Sequence, residues 1–177
     1  ITTFVFYLSM SNIEVELRSF LNEEKFRELL VFFEREGVLK FDDEQLTYYF
    51  DCEQDLRIQK NNFYSKVWLK KGKLHDLHRE EVELKLPVEK FEELEKLFKS
   101  LGYGVEIQWL RKRKTFEWKG VEVMLDHTKG YGYILELEKM ASIGEEGEAL
   151  VLLQDLMQEL NVEVTPREKF EEKYKWY

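Results

Sequence analysis

The stretch IEVELR, Ile13 to Arg18, alternates apolar and charged residues with a period of two. That is the signature of a strand with one apolar and one charged face. Glu is a poor strand former, and Glu14 and Glu16 on one face repel each other unless something positive lies opposite. The pattern returns three times. Glu81 and Glu83 alternate with Val82 and Leu84, Glu122 and Asp126 with Val121, Val123 and Leu125, and Glu136 and Glu138 with Leu135 and Leu137. Cations fall on other segments: Arg57 beside Leu56 and Ile58, and Arg111 with Arg113 in WLRKRK. Acid and base are segregated by strand.

Working outward, the same periodicity predicts eight strands, over Ile13 to Phe20, Leu46 to Asp51, Asp55 to Lys60, Phe63 to Lys71, Arg79 to Leu86, Val105 to Trp118, Val121 to Asp126 and Tyr133 to Met140. Short turns such as Lys119-Gly120 make the pairing mainly antiparallel. Helical spacing predicts a helix from Asn22 to Glu36, with Asn22 as cap and Gly37 as stop, and a second from Pro87 to Leu101. A third runs from about Glu145 to Leu160, and a fourth starts at Thr165, where Thr165-Pro166-Arg167-Glu168 reads as a capping box. The fold class is α+β: an eight-stranded antiparallel sheet, closed or nearly closed into a barrel, with helices packed outside.

The 177 residues suit one domain, and 44% apolar with 15% aromatic residues supply a core. Lys+Arg of 27 against Asp+Glu of 36 gives net charge −9, which argues against general binding of nucleic acid or of an anionic membrane. One cysteine, Cys52, excludes a disulfide framework and points to a reducing cytoplasm. The apolar run ITTFVFYLSM at residues 1–10 is shorter than the roughly 20 residues that span a bilayer. It reads as an added edge strand or a segment upstream of the natural start, so the domain is placed at 12–177 and the extension at 1–11.

Amphipathic helices need apolar sheet to bury against, so the apolar strand faces turn outward and the charged faces meet inside. Carboxylates confined together raise one another's pKa, and burial adds to it. A divalent cation relieves that conflict. Oxygen ligands without cysteine point to Mg²⁺ or Mn²⁺, which keeps waters and shares its remaining positions with substrate phosphates. Arginines nearby supply the counter-charge for those phosphates.

Several motifs follow in order: Glu14-x-Glu16-x-Arg18, Tyr48-Tyr49-Phe50-Asp51, Leu56-Arg57-Ile58, Lys70-Lys71-Gly72, Arg79-x-Glu81 and Arg111-x-Arg113. This ordered set resembles the CYTH superfamily, which groups class IV adenylyl cyclases with thiamine triphosphatases among the triphosphate tunnel metalloenzymes. LDHTKGYGYILELE, Leu125 to Glu138, looks like the class IV cyclase segment. The resemblance implies an eight-stranded tunnel with Glu14, Glu16, Asp126, Glu136 and Glu138 around the metal ions. Arg18, Arg57, Arg111 and Arg113 would hold the triphosphate, joined by Glu81 and a lysine near position 71. Glu14, Glu16, Arg18 and Arg113 are the catalytic candidates. The family's lysine before glycine matches Lys71, whereas strand alternation favours Lys70. Arg18 stands where the family usually has Lys, and Gln59 where many members have a second Arg. The C-terminal Ser-Tyr motif is absent, leaving Arg167 as a phosphate ligand at a helix N-terminus.

Other signals read as structure. His75 and His78 lack the partners of a zinc site. His127 points outward by parity, and Gly130 to Gly132 lacks the spacing of a phosphate-binding glycine motif and reads as a hairpin turn. Trp68, Trp109 and Trp118 serve packing more readily than nucleobase stacking. The expected activity is metal-dependent and acts on a small triphosphate, with cyclisation of ATP to cyclic AMP and pyrophosphate favoured. Alternatives are hydrolysis of thiamine triphosphate, nucleoside triphosphate or tripolyphosphate, and binding of polyphosphate without turnover. The expected assembly is a monomer or homodimer.

Overall fold

The structure is a computed structural model and describes residues 13–70 and 81–176, with backbone alone for Lys70 and Glu81. Lys71, Arg79, His75, His78 and the extension at 1–11 lie outside the described residues. In chain order the elements are β1 (Ile13–Leu21), α1 (Glu23–Glu36), β2 (Val38–Phe50), β3 (Asp55–Lys60), β4 (Ser65–Lys70), β5 (Glu81–Leu86), α2 (Phe91–Ser100), β6 (Val105–Trp118), β7 (Val121–Thr128), β8 (Gly132–Ala141), α3 (Glu146–Glu159) and α4 (Arg167–Lys175). All eight strands join one antiparallel sheet in the order β1-β8-β7-β6-β2-β3-β4-β5. Among the described residues no ladder joins β1 to β5, so hydrogen bonds do not close the barrel.

The apolar strand faces do turn outward. Val123, Leu125, Leu135 and Leu137 are fully or almost fully buried against Leu29 and Phe33 of α1 and Leu153 and Met157 of α3. A second outer cluster sets Phe91 of α2 against Phe50 and Ile58. Burying a side chain of this size stabilises by about 1.5–3 kcal/mol, which is why the charged faces are left to look inward.

α4 does not pack outside. Its Phe170 stacks on Phe20 of β1 at 4.2 Å, and its Tyr174 lies 6.1 Å from Tyr49 of β2. β1 and β2 are four strand steps apart, roughly 19 Å in a flat sheet, whereas positions 170 and 174 are one helical turn, about 6 Å, apart. The sheet must therefore curl around α4. The expectation of a wholly polar interior is corrected at this end, where Trp109, Tyr131, Ile134 and Phe170 are buried together.

Four expected boundaries shift, each for a local reason. β2 begins at Val38 instead of Leu46, because its acidic first half is held by a ladder to β6 that runs from Val38↔Glu117 to Phe50↔Val105. β4 begins at Ser65, because the Asn61 side chain accepts from the backbone N–H groups of Phe63 and Tyr64 and makes a turn there. The helix expected from Pro87 opens as a 3-10 turn, Val88–Lys90, before α2. Thr165 does not cap α4. Its hydroxyl accepts from Phe20 N at 3.0 Å, Ser19 Oγ lies 3.1 Å away, and Thr165 N donates to Arg18 O. The connector between α3 and α4 thus lies along the β1 edge and satisfies its backbone groups.

Candidate functional site

Residues directly opposed in antiparallel strands share a face, so the register orders the interior into rows. The first is Glu16–Glu138–Glu122–Glu117, across β1, β8, β7 and β6. The second is Arg18–Glu136–Met124–Thr115. The third runs Phe20–Ile134–Asp126–Arg113–Asp43 into β2, and the fourth Gly132–Thr128–Arg111–Gln45. Beyond these come Trp109–Thr47–Gln59–Lys66 and then Ile107–Tyr49–Arg57–Trp68. The interior therefore passes from acid through arginine to aromatic.

At the acidic end burial, with Glu14, Glu136, Glu122 and Glu16 adding to it, pushes the Glu138 carboxyl up to about 8. Glu14, Glu16, Glu136 and Glu138 thus act on one place. Arg18 Nη2 reaches Glu16 Oε1 at 3.3 Å and Arg113 Nη2 reaches Glu136 Oε2 at 3.5 Å, both loose contacts. The donor set is entirely carboxylate oxygen, which suits a hard divalent cation. Among the described residues no three acidic or histidine groups are yet close enough together to hold one.

Asp126 belongs to the arginines. It is 2% exposed, and Arg113 grips it with two bonds of 2.7 Å, Nε to Oδ1 and Nη2 to Oδ2. Arg111 Nη1 adds a bond of 3.3 Å. Burial works to raise the Asp126 carboxyl, but the two guanidinium groups outweigh it and hold it below the usual range. Arg111 also gives Nε and Nη2 to Gln45 Oε1, at 2.8 and 2.6 Å. A cavity of about 470 Å³ reaches Gln45 and Arg111 from outside, between Leu46, Leu110 and Lys60.

Arg57 lies on another wall. Asp55 holds it by Nε and Nη2, and its guanidinium sits 4.3 Å from the Tyr49 ring centre and 5.6 Å from that of Trp68. Gln59, in place of a family arginine, donates to Thr47 Oγ1 at 2.8 Å and is buried. Backbone register sets Lys70 opposite Asp55 and Glu81. Arg167 is outside these rows, in an exposed pair with Glu171 at 2.8 Å. His127 stacks outside on Tyr133 at 4.5 Å, and Trp118 packs outside against Phe32 and Phe33. Sequence reasoning did not single out Asp43, Gln45, Asp55, Phe170 and Tyr174. Only Asp55 carried a signal, the same parity as Arg57 two residues away.

The CYTH domain profile matches residues 12–169. A protein of Methanocaldococcus jannaschii named "putative adenylate cyclase" is 29% identical over 116 residues, 63% of this chain and 65% of that protein. The chain thus spans just under two thirds of that relative's length. The PH1012 protein of Pyrococcus horikoshii superposes with TM-score 0.71 at 21% identity, over 88% of this chain and 96% of its own. An X-ray structure titled as a "putative adenylate cyclase" from Vibrio parahaemolyticus gives 0.65 at 17% identity, over 89% and 96%. These structural likenesses concern the fold. With a profile match over most of its length, on a curled sheet whose charged faces look inward, the chain belongs to the CYTH domain family.

Proposed function

We propose that the protein is a divalent-metal-dependent enzyme that binds a triphosphate inside the curled sheet, and that its reaction is cyclisation of ATP to cyclic AMP and pyrophosphate. One observation carries the reading: Glu138 shares a row with Glu16, Glu122 and Glu117 and with no arginine, while Arg18, Arg113 and Arg111 lie one, two and three rows away on the same face. Glu14, Glu16, Glu136 and Glu138 would hold Mg²⁺ or Mn²⁺. When bound, the ion supplies charge neutralisation and a more acidic attacking hydroxyl. Arg18, Arg57, Arg111 and Arg113, with Lys70 or Lys71 and Glu81, bind and orient the phosphate chain. Their guanidinium groups meet the charge that grows on the phosphoryl oxygens as the pyrophosphate leaves. Asp126 keeps Arg111 and Arg113 in place. The relatives' names support the cyclase direction.

A second reading is favoured by α4. Phe170 and Tyr174 fill the aromatic end, which leaves the organic half of a substrate little room there. Hydrolysis of a short triphosphate needs no such room. Incubation with ATP, thiamine triphosphate and tripolyphosphate, each with Mg²⁺ or Mn²⁺, separates the cases. Cyclic AMP with pyrophosphate supports the cyclase, and orthophosphate alone supports the triphosphatase. Ligand at about 100 times its Kd should add roughly 2.7 kcal/mol of stability, and no rise in Tm with any triphosphate and metal would overturn the proposal. Among the described residues no helix is long and apolar enough to cross a membrane.

A further inference from the structure

Three interior arginines are held in the same way. Arg113 gives Nε and Nη2 to Asp126, Arg111 gives Nε and Nη2 to Gln45, and Arg57 gives Nε and Nη2 to Asp55. In each, the seat takes the inner edge of the guanidinium and the terminal edge points away from it. For two of them that terminal edge is already engaged: Arg113 Nη1 contacts Met124 Sδ at 2.9 Å, and Arg111 Nη1 contacts Asp126. Arg57 differs. Among the described residues its Nη1 has no hydrogen-bond partner.

Arg57 is also the most constrained. Its bonds to Asp55 are 2.5 and 2.6 Å, the two side chains are 13% and 11% exposed, and the ring faces of Tyr49 and Trp68 flank the guanidinium. Rings fix the plane of a guanidinium, not its rotation within that plane. A carboxylate on the Nε–Nη2 edge fixes the rotation.

Resting on the triphosphate reading above, we propose that Asp55 is a positioning residue: it turns Arg57 so that the terminal edge, led by Nη1, faces a substrate phosphate. Asp55 touches no substrate and acts through Arg57. Its negative charge opposes the phosphate in general, so the proposal holds that orientation outweighs repulsion.

Asp55→Asn, Arg57→Gln and the double variant test this by titration calorimetry with tripolyphosphate and Mg²⁺. Asp55→Asn should weaken binding about tenfold, the scale of one charge-assisted bond, and raise KM with kcat within about twofold. In the Arg57→Gln background it should change nothing. Should Asp55→Asn fail to fold, Asp55→Glu, which displaces the carboxylate by one methylene, must show the same Arg57-dependent loss. Unchanged or tighter binding on removing Asp55, or an equal loss in both backgrounds, overturns the proposal. The Nε–H resonance of Arg57, assigned by its absence in Arg57→Gln, decides separately from any substrate. It should be sharp in the wild type and averaged in Asp55→Asn, and if it is sharp in both the seat is refuted. If the wild type binds no triphosphate while this signal behaves as expected, the proposed function fails and the seat stands.

Discussion

The two ends of the interior treat charge in opposite ways. At the arginine end the protein answers its own charges: Asp126 is enclosed by Arg113 and Arg111, and Asp55 by Arg57. At the glutamate end the answer is only at the margins, with Arg18 meeting Glu16 at 3.3 Å, Arg113 meeting Glu136 at 3.5 Å and Lys40 pairing with Glu117. Glu16, Glu138, Glu122 and Glu117 follow one another across four strands, and Glu138 resolves the repulsion by keeping its proton. Answered charges are scaffold that orients, whereas a charge relieved only by protonation is a place prepared for something else. Both ends are charged, yet only one should respond strongly to a cation.

The largest expected effect lies at the glutamate end. Glu136→Gln should lower turnover by about a hundredfold, on the scale of losing one charge-stabilising group, and raise the Mn²⁺ concentration needed for half-maximal rate. Activity unchanged at limiting metal would erase the distinction between the ends. Arg113→Ala comes next and should act first on stability. It strands Asp126 at 2% exposure, and removing one partner of a buried pair costs about 3–5 kcal/mol, measurable by urea unfolding. Replacing the pair together, Arg113→Met with Asp126→Leu, should recover much of that loss. If the single variant were as stable as the wild type, Asp126 would not be scaffold.

Acid–base behaviour should separate the ends in direction. The Asp126 carboxyl is depressed, so its contribution is present above about pH 4, the unfolded value, and is lost as the pH falls through the native one. Glu138 is raised, so its contribution is complete below about pH 4.5 and is lost as the pH rises through about 8. Unfolding of the metal-free protein should show both limbs, and Glu138→Gln should flatten only the alkaline one. The smallest effect belongs to Arg167. Its exposed pair with Glu171 predicts that Arg167→Ala changes stability by less than about 0.5 kcal/mol and tripolyphosphate affinity by no more than about twofold.

The convergence of Glu14, Glu16, Glu136 and Glu138 was legible because strand parity is visible within a single segment. Gln45 as the seat of Arg111 was not, since it depends on the offset between β2 and β6, 66 residues apart, and no local pattern encodes an offset. The inward placement of α4 was hidden for another reason. Phe170 and Tyr174, four apart, make an apolar stripe that looks the same whether the helix packs outside a sheet or within its curl.

The strand order has a consequence for how the chain is made. β6, β7 and β8 form a meander joined by short turns and can pair as soon as they emerge, but among the described residues β1 pairs only with β8, from Ile13↔Ala141 to Leu21↔Tyr133. Of the described strands, the earliest in the chain therefore waits for the latest. During that interval, several seconds at about 5–20 residues per second, Val15 and Leu17 have no partner strand, and Glu14 and Glu16 take their places in the interior only after β8 has been made.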